Sequence, residues 1–343
     1  MRVALVGATG AVGSIMLEVL QERRFPATEV VPFASERSVG RKLAFGDGTI
    51  EVQALTEESI AGFDIAIFSA GGSTSGEWAP RFAAAGAVVV DNSSRWRMQD
   101  DVPLVVSEVN PDDLDNHRGI IANPNCSTMQ MVVALKPIDV VAGIERLVIT
   151  TMQSVSGTGQ KAVEALHDET EAVLAAKELA KPEVYAHQIA FNVLPHAGTF
   201  PEGSDYTDEE LKLVNETRKI LGKPDIAVSA TCTRVPVYTG HSESVNVQTR
   251  EPLSADDCRA LLTRSPGIVV LDDPAHGVYP LAIDAAGRDE VLVGRIRQDP
   301  SHPRALNMFV VADNLRKGAA TNAVQLAELL VERGLVRARA QAA

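Results

Sequence analysis

Short apolar runs alternate with polar, glycine-bearing turns over the first third of the chain. Val3 to Val6 follows a charged residue and reads as a buried strand. Residues 7–13 form a glycine-rich turn, and residues 12–24 carry Val12, Ile15, Met16, Val19 and Leu20 at helical spacing. Val30 to Phe33, Ile65 to Phe68 and Val88 to Val90 are further strand-like runs. The last two lead into Ser69-Ala70-Gly71-Gly72 and Asn92-Ser93-Ser94. Strands alternating with helices predict a parallel, doubly wound α/β sheet. Ligands bind such sheets at the carboxyl ends of the strands, where these loops fall. After about residue 125 the pattern changes. Helical segments near 127–135, 160–178 and 207–221 interleave with strand-like runs at 146–152, 226–237, 244–250 and 291–296, which predicts a second α+β domain. Residues 314–333 are again helical, and the tail from Arg337 is expected to be loose.

Length agrees with two domains, at 343 residues. Aromatic residues are only 4%, which leans away from an aromatic-rich β-sandwich. The formal charge of −13 argues against sequence-independent nucleic-acid binding and against a polybasic membrane role. Three cysteines, Cys126, Cys232 and Cys258, make no disulfide framework and fit no zinc spacing, so no metal is expected. With no signal-peptide pattern at the start and no apolar run of membrane-spanning length, the expected setting is cytoplasmic.

The segment Gly7-Ala8-Thr9-Gly10-Ala11-Val12-Gly13 follows a strand and opens a helix. Glycines there bring the backbone close to a pyrophosphate and point N–H groups at it. The spacing is G-x-x-G-x-x-G, and a tight turn without ligand is the alternative. Its place at the head of an alternating β/α pattern favours a dinucleotide. The second strand ends in Ser35-Glu36-Arg37-Ser38. Arg37 with Ser35 and Ser38 suits the 2′-phosphate of NADP, whereas Glu36 suits a ribose hydroxyl, and an exposed polar turn would look the same.

Cys126, in Asn123-Pro124-Asn125-Cys126-Ser127-Thr128, stands at the start of a helical run ending at Pro137. A helix N-terminus stabilises a thiolate, although cysteine is also a common small buried residue. Cys232 and Cys258 lack such a setting. Of seven histidines, His241 is notable in Tyr238-Thr239-Gly240-His241-Ser242-Glu243, a turn before a strand. Spacing alone leaves it equally a turn histidine or an acid/base group.

Taken together these segments resemble the bacterial type of aspartate-semialdehyde dehydrogenase over nearly the whole length. The resemblance rests on GATGAVG, Ser69 to Gly72, Asn125 to Thr128, Gln153-Ser154-Val155-Ser156-Gly157, Arg234-Val235-Pro236-Val237, Gly240 to Glu243 and Asp313 to Ala320. It implies an N-terminal Rossmann-like parallel sheet that binds NADP, built from 1–125 with 313–343. It also implies a catalytic and dimerisation domain over 126–312. Cys126 would be the acyl-thioester nucleophile, His241 the acid/base, and Gln153 the residue that orients substrate. Arg234 would grip the substrate α-carboxylate, a task suited to a forked guanidinium. Glu209 would bind the substrate amine, and Lys212 and Arg97 the phosphate, with Asn125 beside them. Arg95 competes with Arg97 for that role. Thr207 to Glu210 reads as a capping box that sets Glu209 and Lys212 on one face, where a simple exposed ion pair is the bland alternative. The cofactor contacts implied are Gly7, Thr9, Gly10, Ala11, Val12, Ser35, Arg37, Ser38, Ser69, Gly71, Ser156, Gly157 and Asn314.

The implied reaction is NADPH-dependent reduction of 4-phospho-L-aspartate to aspartate 4-semialdehyde, through a thioester, in the biosynthesis of lysine (via diaminopimelate), threonine and methionine. The implied partners are these small molecules and further copies of the chain, as a homodimer or homotetramer. Rival readings are a reductase of another acyl phosphate, a nucleotide-binding relative without activity, and a cysteine hydrolase using Cys126 and His241. Glu209 with Lys212, and the RVPV and GHSE segments, discriminate against the first. The retained cysteine and histidine speak against the second, and the glycine loop against the third.

Overall fold

The computed structural model describes residues 1–336. The expectation for the tail from Arg337 lies outside the described residues. The chain divides into two compact units, Met1–Asn125 with the residues from Ala319, and Cys126–Gly318.

The first unit runs β1 (Arg2–Val6), α1 (Ala11–Glu22), β2 (Glu29–Phe33), β3 (Lys42–Phe45), β4 (Gly48–Glu51), β5 (Ile65–Phe68), α2 (Gly72–Ala84), β6 (Val88–Asp91) and β7 (Ile120–Ala122). The second runs α3 (Cys126–Ala142), β8 (Ile144–Gln153), α4 (Gln160–Leu174), α5 (Asp208–Leu221), β9 (Ala227–Arg234), β10 (His241–Thr249), α6 (Ala255–Thr263), β11 (Ile268–Val270), α7 (Ala282–Ala285), β12 (Val291–Gln298) and β13 (Ala305–Ala312). Helix α8 (Asn322–Glu332) returns to the first unit.

In the first unit a parallel sheet has the order β2-β1-β5-β6-β7. Its central strands are apolar on both faces because helices cover both. On one side α1 and α8 contribute Met16, Leu20, Val324 and Leu330 to a core with Val3, Leu5 and Ile67. On the other, α2 contributes Ala79 and Phe82 to a cluster with Phe33, Phe63 and Phe68. Phe82 meets Phe68 edge-on at 5.4 Å, a favoured aromatic geometry. This is the doubly wound parallel sheet expected from the alternation, and the Rossmann-like arrangement that the family resemblance implied. The strand order reverses between β1 and β5, which makes the ends of those two strands the switch point.

The second unit holds a mixed sheet of order β11-β12-β13-β10-β8-β9. Helices α3, α5 and α6 pack on it. Along β10, His241, Glu243, Val245 and Val247 are buried, and Ser244 is exposed.

Several local expectations needed correction. Helix α3 does not stop at Pro137 but continues to Ala142. An internal proline costs about 3 kcal/mol, and here nearly every neighbour from Ser127 to Leu135 is buried, so packing offsets it. The helix read over 314–333 is broken: residues 316–321 form a wide π-type turn before α8. Residues 313–318 group with the second unit, not the first. Asp313 accepts the Gly287 N–H at 2.8 Å, and Asn314 is tied to residues 154, 156 and 240. The β3–β4 hairpin and strand β13 had no counterpart in the sequence reading.

Candidate active site

Three strand ends meet at one edge of the second sheet. Gln153 ends β8 and Arg234 ends β9, and the two are paired in register. His241 begins β10, opposite Ala312 of β13. Because β10 runs antiparallel to β8, its first residue comes level with the last residues of β8.

Cys126 is the first residue of α3, where the helix dipole and first-turn N–H groups favour a thiolate. It is half-buried, whereas Cys232 and Cys258 are fully buried. Burial pushes the Cys232 thiol far up and the Cys258 thiol up to about 12, so neither is a nucleophile near neutral pH. Gly318 packs on Cys126: a β-carbon there would stand 2.8 Å from the Cys126 Cβ.

The imidazole of His241 is fully buried. Its Nδ1 accepts the Ser154 backbone N–H at 3.1 Å and lies 3.0 Å from the Ser154 hydroxyl. Its Nε2 has no hydrogen-bond partner among the described residues. Burial first, and the Arg234 charge second, hold it well below the ordinary histidine value. The ring is therefore neutral at rest. Gly157 lets other groups approach, since a Cβ there would lie 3.1 Å from His241 Cε1 and 3.2 Å from both His241 Nε2 and Arg234 Nη1. Arg234 is buried too. Its Nη1 donates to the Ser154 carbonyl at 2.7 Å, and its Nε is unpartnered among the described residues.

Gln153 donates from Nε2 to Ser127 Oγ at 2.8 Å and to Glu209 Oε1 at 3.3 Å, which joins the α3 and α5 starts. The capping box of α5 is formed. Thr207 Oγ1 accepts the Glu210 N–H, and Glu210 Oε2 accepts the Thr207 N–H. Glu210 Oε1 also accepts the Cys232 N–H of β9 at 2.9 Å, which fixes the helix start to the sheet. Lys212 Nζ donates to Glu209 at 3.1 Å and to Asp208 at 2.6 Å. Burial alone would lower Lys212, but Glu209 and Asp208 outweigh it and hold the lysine above its ordinary value. The pair is thus an ammonium on a buried carboxylate rather than a solvated surface pair.

In the first unit the glycine loop and residues 69–71 adjoin at the switch point. Gly7 has φ +90°, and a Cβ on it would lie 2.3 Å from the Ser69 carbonyl oxygen. A Cβ on Gly13 would lie 2.2 Å from the Gly7 carbonyl oxygen, so α1 can approach the loop only with glycine there. Gly10 gives its own N–H to the Gly7 carbonyl at 3.1 Å and caps α1 with no side-chain hydrogen bond, which leaves the first-turn N–H groups from Ala11 onward for an anion. Gly71, before α2, also has positive φ and no side-chain cap. This donor set fits a dinucleotide pyrophosphate. Ser35, Glu36 and Arg37 are exposed on the turn after β2, with Ser38 half-buried.

Arg97 is buried, and donates to the carbonyls of Asn123 and Asn92 at 2.9 Å each. Arg95 is exposed, with its guanidinium 5.4 Å from the Trp96 ring centroid. Asn125 is buried directly before Cys126. Asn314 commits Oδ1 to Ser154 Oγ and the Gly240 N–H, each at 3.0 Å, and Nδ2 to Ser156 Oγ.

Residues 2–117 match the family model of the semialdehyde dehydrogenase NAD-binding domain, and residues 135–317 that of the semialdehyde dehydrogenase dimerisation domain. The aspartate-semialdehyde dehydrogenase of Aquifex aeolicus is 57% identical over 338 residues, which cover 98% of this chain and 99% of that protein. The chain belongs to the aspartate-semialdehyde dehydrogenase family. Among solved structures, aspartate semialdehyde dehydrogenase II of Vibrio cholerae, complexed with ASA, superposes with a TM-score of 0.92 at 49% identity, covering 96% of this chain and 98% of that one. The Candida albicans enzyme with NADP gives a TM-score of 0.74 at 26% identity, with coverage of 98% and 99%.

Three members of the site were given no role by the sequence, although Ser154 and Glu243 lie within the QSVSG and GHSE segments. Ser154 touches His241 through both backbone and side chain. Gln130 donates to the His241 carbonyl at 3.2 Å. Glu243, one inward position along β10 from His241, is fully buried, and burial raises it well above the ordinary carboxylate value against the opposing pull of Gln130. Only the strict alternation of His241-Ser242-Glu243-Ser244 hints that Glu243 points inward.

Proposed function

We propose that the protein catalyses the NADPH-dependent reductive dephosphorylation of 4-phospho-L-aspartate to L-aspartate 4-semialdehyde, on the route to lysine and diaminopimelate, threonine and methionine. The observation that carries this reading is the pair of nitrogens without a partner among the described residues, His241 Nε2 and Arg234 Nε, in a unit whose first helix opens with Cys126. Buried nitrogens left open in this way are costly unless a ligand completes them.

Cys126 passes its thiol proton to His241 Nε2 and attacks the acyl carbon. The carbon–oxygen bond to phosphate breaks, phosphate leaves, and a thioester forms. Lys212 balances the charge of that phosphate, a role we extend to Arg97 and Asn125. Arg234 holds the α-carboxylate by its fork, and Glu209 accepts from the substrate amine. Gln153, steadied by Ser127 and Glu209, orients the acyl group. A nicotinamide cofactor, bound by the glycine loop with Arg37, Ser35 and Ser38 on its 2′-phosphate, supplies the hydride. His241 gives its Nε2 proton to the carbonyl oxygen as the carbon is reduced. It takes the proton back as the aldehyde leaves, and returns it to sulfur. Ser156, Gly157 and Asn314 complete the cofactor contacts in this reading.

The setting is cytoplasmic, where Cys126 stays reduced, and the protein works as a homodimer or homotetramer assembled through its second unit. The dimerisation-domain match and the V. cholerae complex with ASA support this reading of assembly and substrate. The NADP-bound C. albicans enzyme supports the cofactor. The test is phosphate-dependent reduction of NADP by aspartate semialdehyde, with NAD in parallel. Turnover with NADP that is lost in Cys126→Ala is expected. Turnover with NAD alone overturns the cofactor assignment, and none with either overturns the reaction.

A further inference from the structure

Gln130 lies one helical turn after Cys126, on the same side of α3. Its Nε2 donates to the His241 carbonyl at 3.2 Å. A carbonyl only accepts, so the NH2 end of the amide faces it and Oε1 is the end left over. This bond ties the start of α3, which opens with Cys126, to the first residue of β10. Rotation of the amide by half a turn would set oxygen against oxygen and break the tie.

The other end of the amide is the open question. Gln130 Oε1 is buried and has no hydrogen-bond partner among the described residues. Its side-chain neighbour is Glu243, two residues along β10 from His241 and on the same inward face. Glu243 is fully buried, and neither of its carboxyl oxygens has a hydrogen-bond partner among the described residues. If ionised, Glu243 would bury a bare charge and add two acceptors where one already lacks a donor. A single proton supplies the missing donor. Burial favours the carboxyl form that carries it.

We propose that Glu243 is a positioning residue: as a neutral acid it donates its hydroxyl to Gln130 Oε1, which holds Nε2 on the His241 carbonyl and so fixes the approach of Cys126 to His241. The inference rests on the roles given to Cys126 and His241 under the proposed function. Glu243 touches neither substrate nor cofactor in this reading, and it acts through Gln130 alone.

The test uses the full-length protein and four variants. Glu243→Met fills a similar volume without a donor, so a role in packing alone predicts unchanged turnover. Positioning predicts a fall in the turnover number of about five- to tenfold, as for one lost hydrogen bond, with KM for the semialdehyde and NADP affinity near wild type. Glu243→Gln, whose amide donates to the same oxygen, retains most of the turnover. Gln130→Met falls as Glu243→Met does, and the double variant falls no further, because both act through one contact. The infrared carbonyl band of a protonated carboxyl, assigned by its loss in Glu243→Gln, is expected in the wild type at neutral pH and moves to higher frequency in Gln130→Met. Wild-type turnover in Glu243→Met overturns the inference, and so do additive losses in the double variant. Absence of the band, or a band unmoved in Gln130→Met, overturns it as well. If the wild type itself shows no turnover, the proposed function has failed and the positioning role with it, while the band in Gln130→Met still decides the contact.

Discussion

Gly318 lies directly against Cys126, so close that a β-carbon on Gly318 would stand 2.8 Å from the Cys126 Cβ and 3.2 Å from its Cα. Neither contact is with the far end of a flexible chain, so one backbone has to move. Overpacking of this kind costs about 1–3 kcal/mol. Gly318→Ala is expected to lower the urea midpoint and to displace the thiol. The alkylation rate of Cys126 by iodoacetamide should change along with turnover. Wild-type alkylation and turnover in a folded variant would show that the contact relaxes without displacing the Cys126 thiol.

Thr207 fixes the start of α5 and, through it, the Glu209–Lys212 pair. Thr207→Ala removes one half of the capping box and should cost about 1 kcal/mol. The loss should also loosen Glu209 where it meets Gln153. The expected result is a lower melting temperature with a raised KM for the semialdehyde and little change in NADP affinity. A stability loss with unaltered KM would separate the cap from the site.

Glu243 makes stability depend on pH in a calculable direction. Burial, opposed by Gln130, raises its carboxyl well above the ordinary value of 4.5. The folded protein therefore keeps a proton that the unfolded chain gives up, and wild-type stability falls as pH rises through 4.5 toward the raised value. Glu243→Gln abolishes this dependence. The variant's stability relative to wild type should grow from pH 4.5 upward, read from urea midpoints at a series of pH values. The shift of His241 acts oppositely: its lowered value costs stability as pH falls through 6.5. That cost is common to both proteins and cancels in the difference. A difference that does not vary with pH would mean that Glu243 is ionised in the folded state.

Arg37 and Glu36 occupy the same exposed turn and argue for different cofactors. Arg37→Ala is expected to raise KM for NADP about tenfold, with KM for NAD nearly constant. Glu36→Ala should do little to either. A larger effect of Glu36→Ala on NAD would favour ribose recognition and NAD.

What could be read from the chain was mostly local. The loop from Gly7 to Gly13, the strand before it and the capping box at Thr207 each lie within a few residues, so their chemistry is written contiguously. Helix α3 ran past Pro137 because its burial comes from distant elements that outweigh a local breaker. Strand β13 escaped notice because an apolar run such as Ala305–Ala312 has no clear period. The surroundings of His241 were the least legible. Ser154 and Asn314 lie 87 and 160 residues from their respective partners, His241 and Ser154, and only the sheet register brings them together. Arg95 and Arg97 could not be told apart by spacing. The structure buries Arg97 on strand-end carbonyls and leaves Arg95 outside.

The alternation along β10 makes the location of His241 a matter of parity. Its inward position is shared with Glu243, Val245 and Val247, and is held by hydrogen-bonded partners on both sides in β8 and β13. Sliding β10 by one residue would present Ser242 inward and turn the imidazole out, together with every core valine of the strand. Insertions of an odd number of residues inside β10 would thus be lethal to chemistry and core alike. Insertions in the turn from Val235 to Gly240 would leave the parity intact. The imidazole of His241 is protected from drift by the same apolar side chains that hold the sheet together.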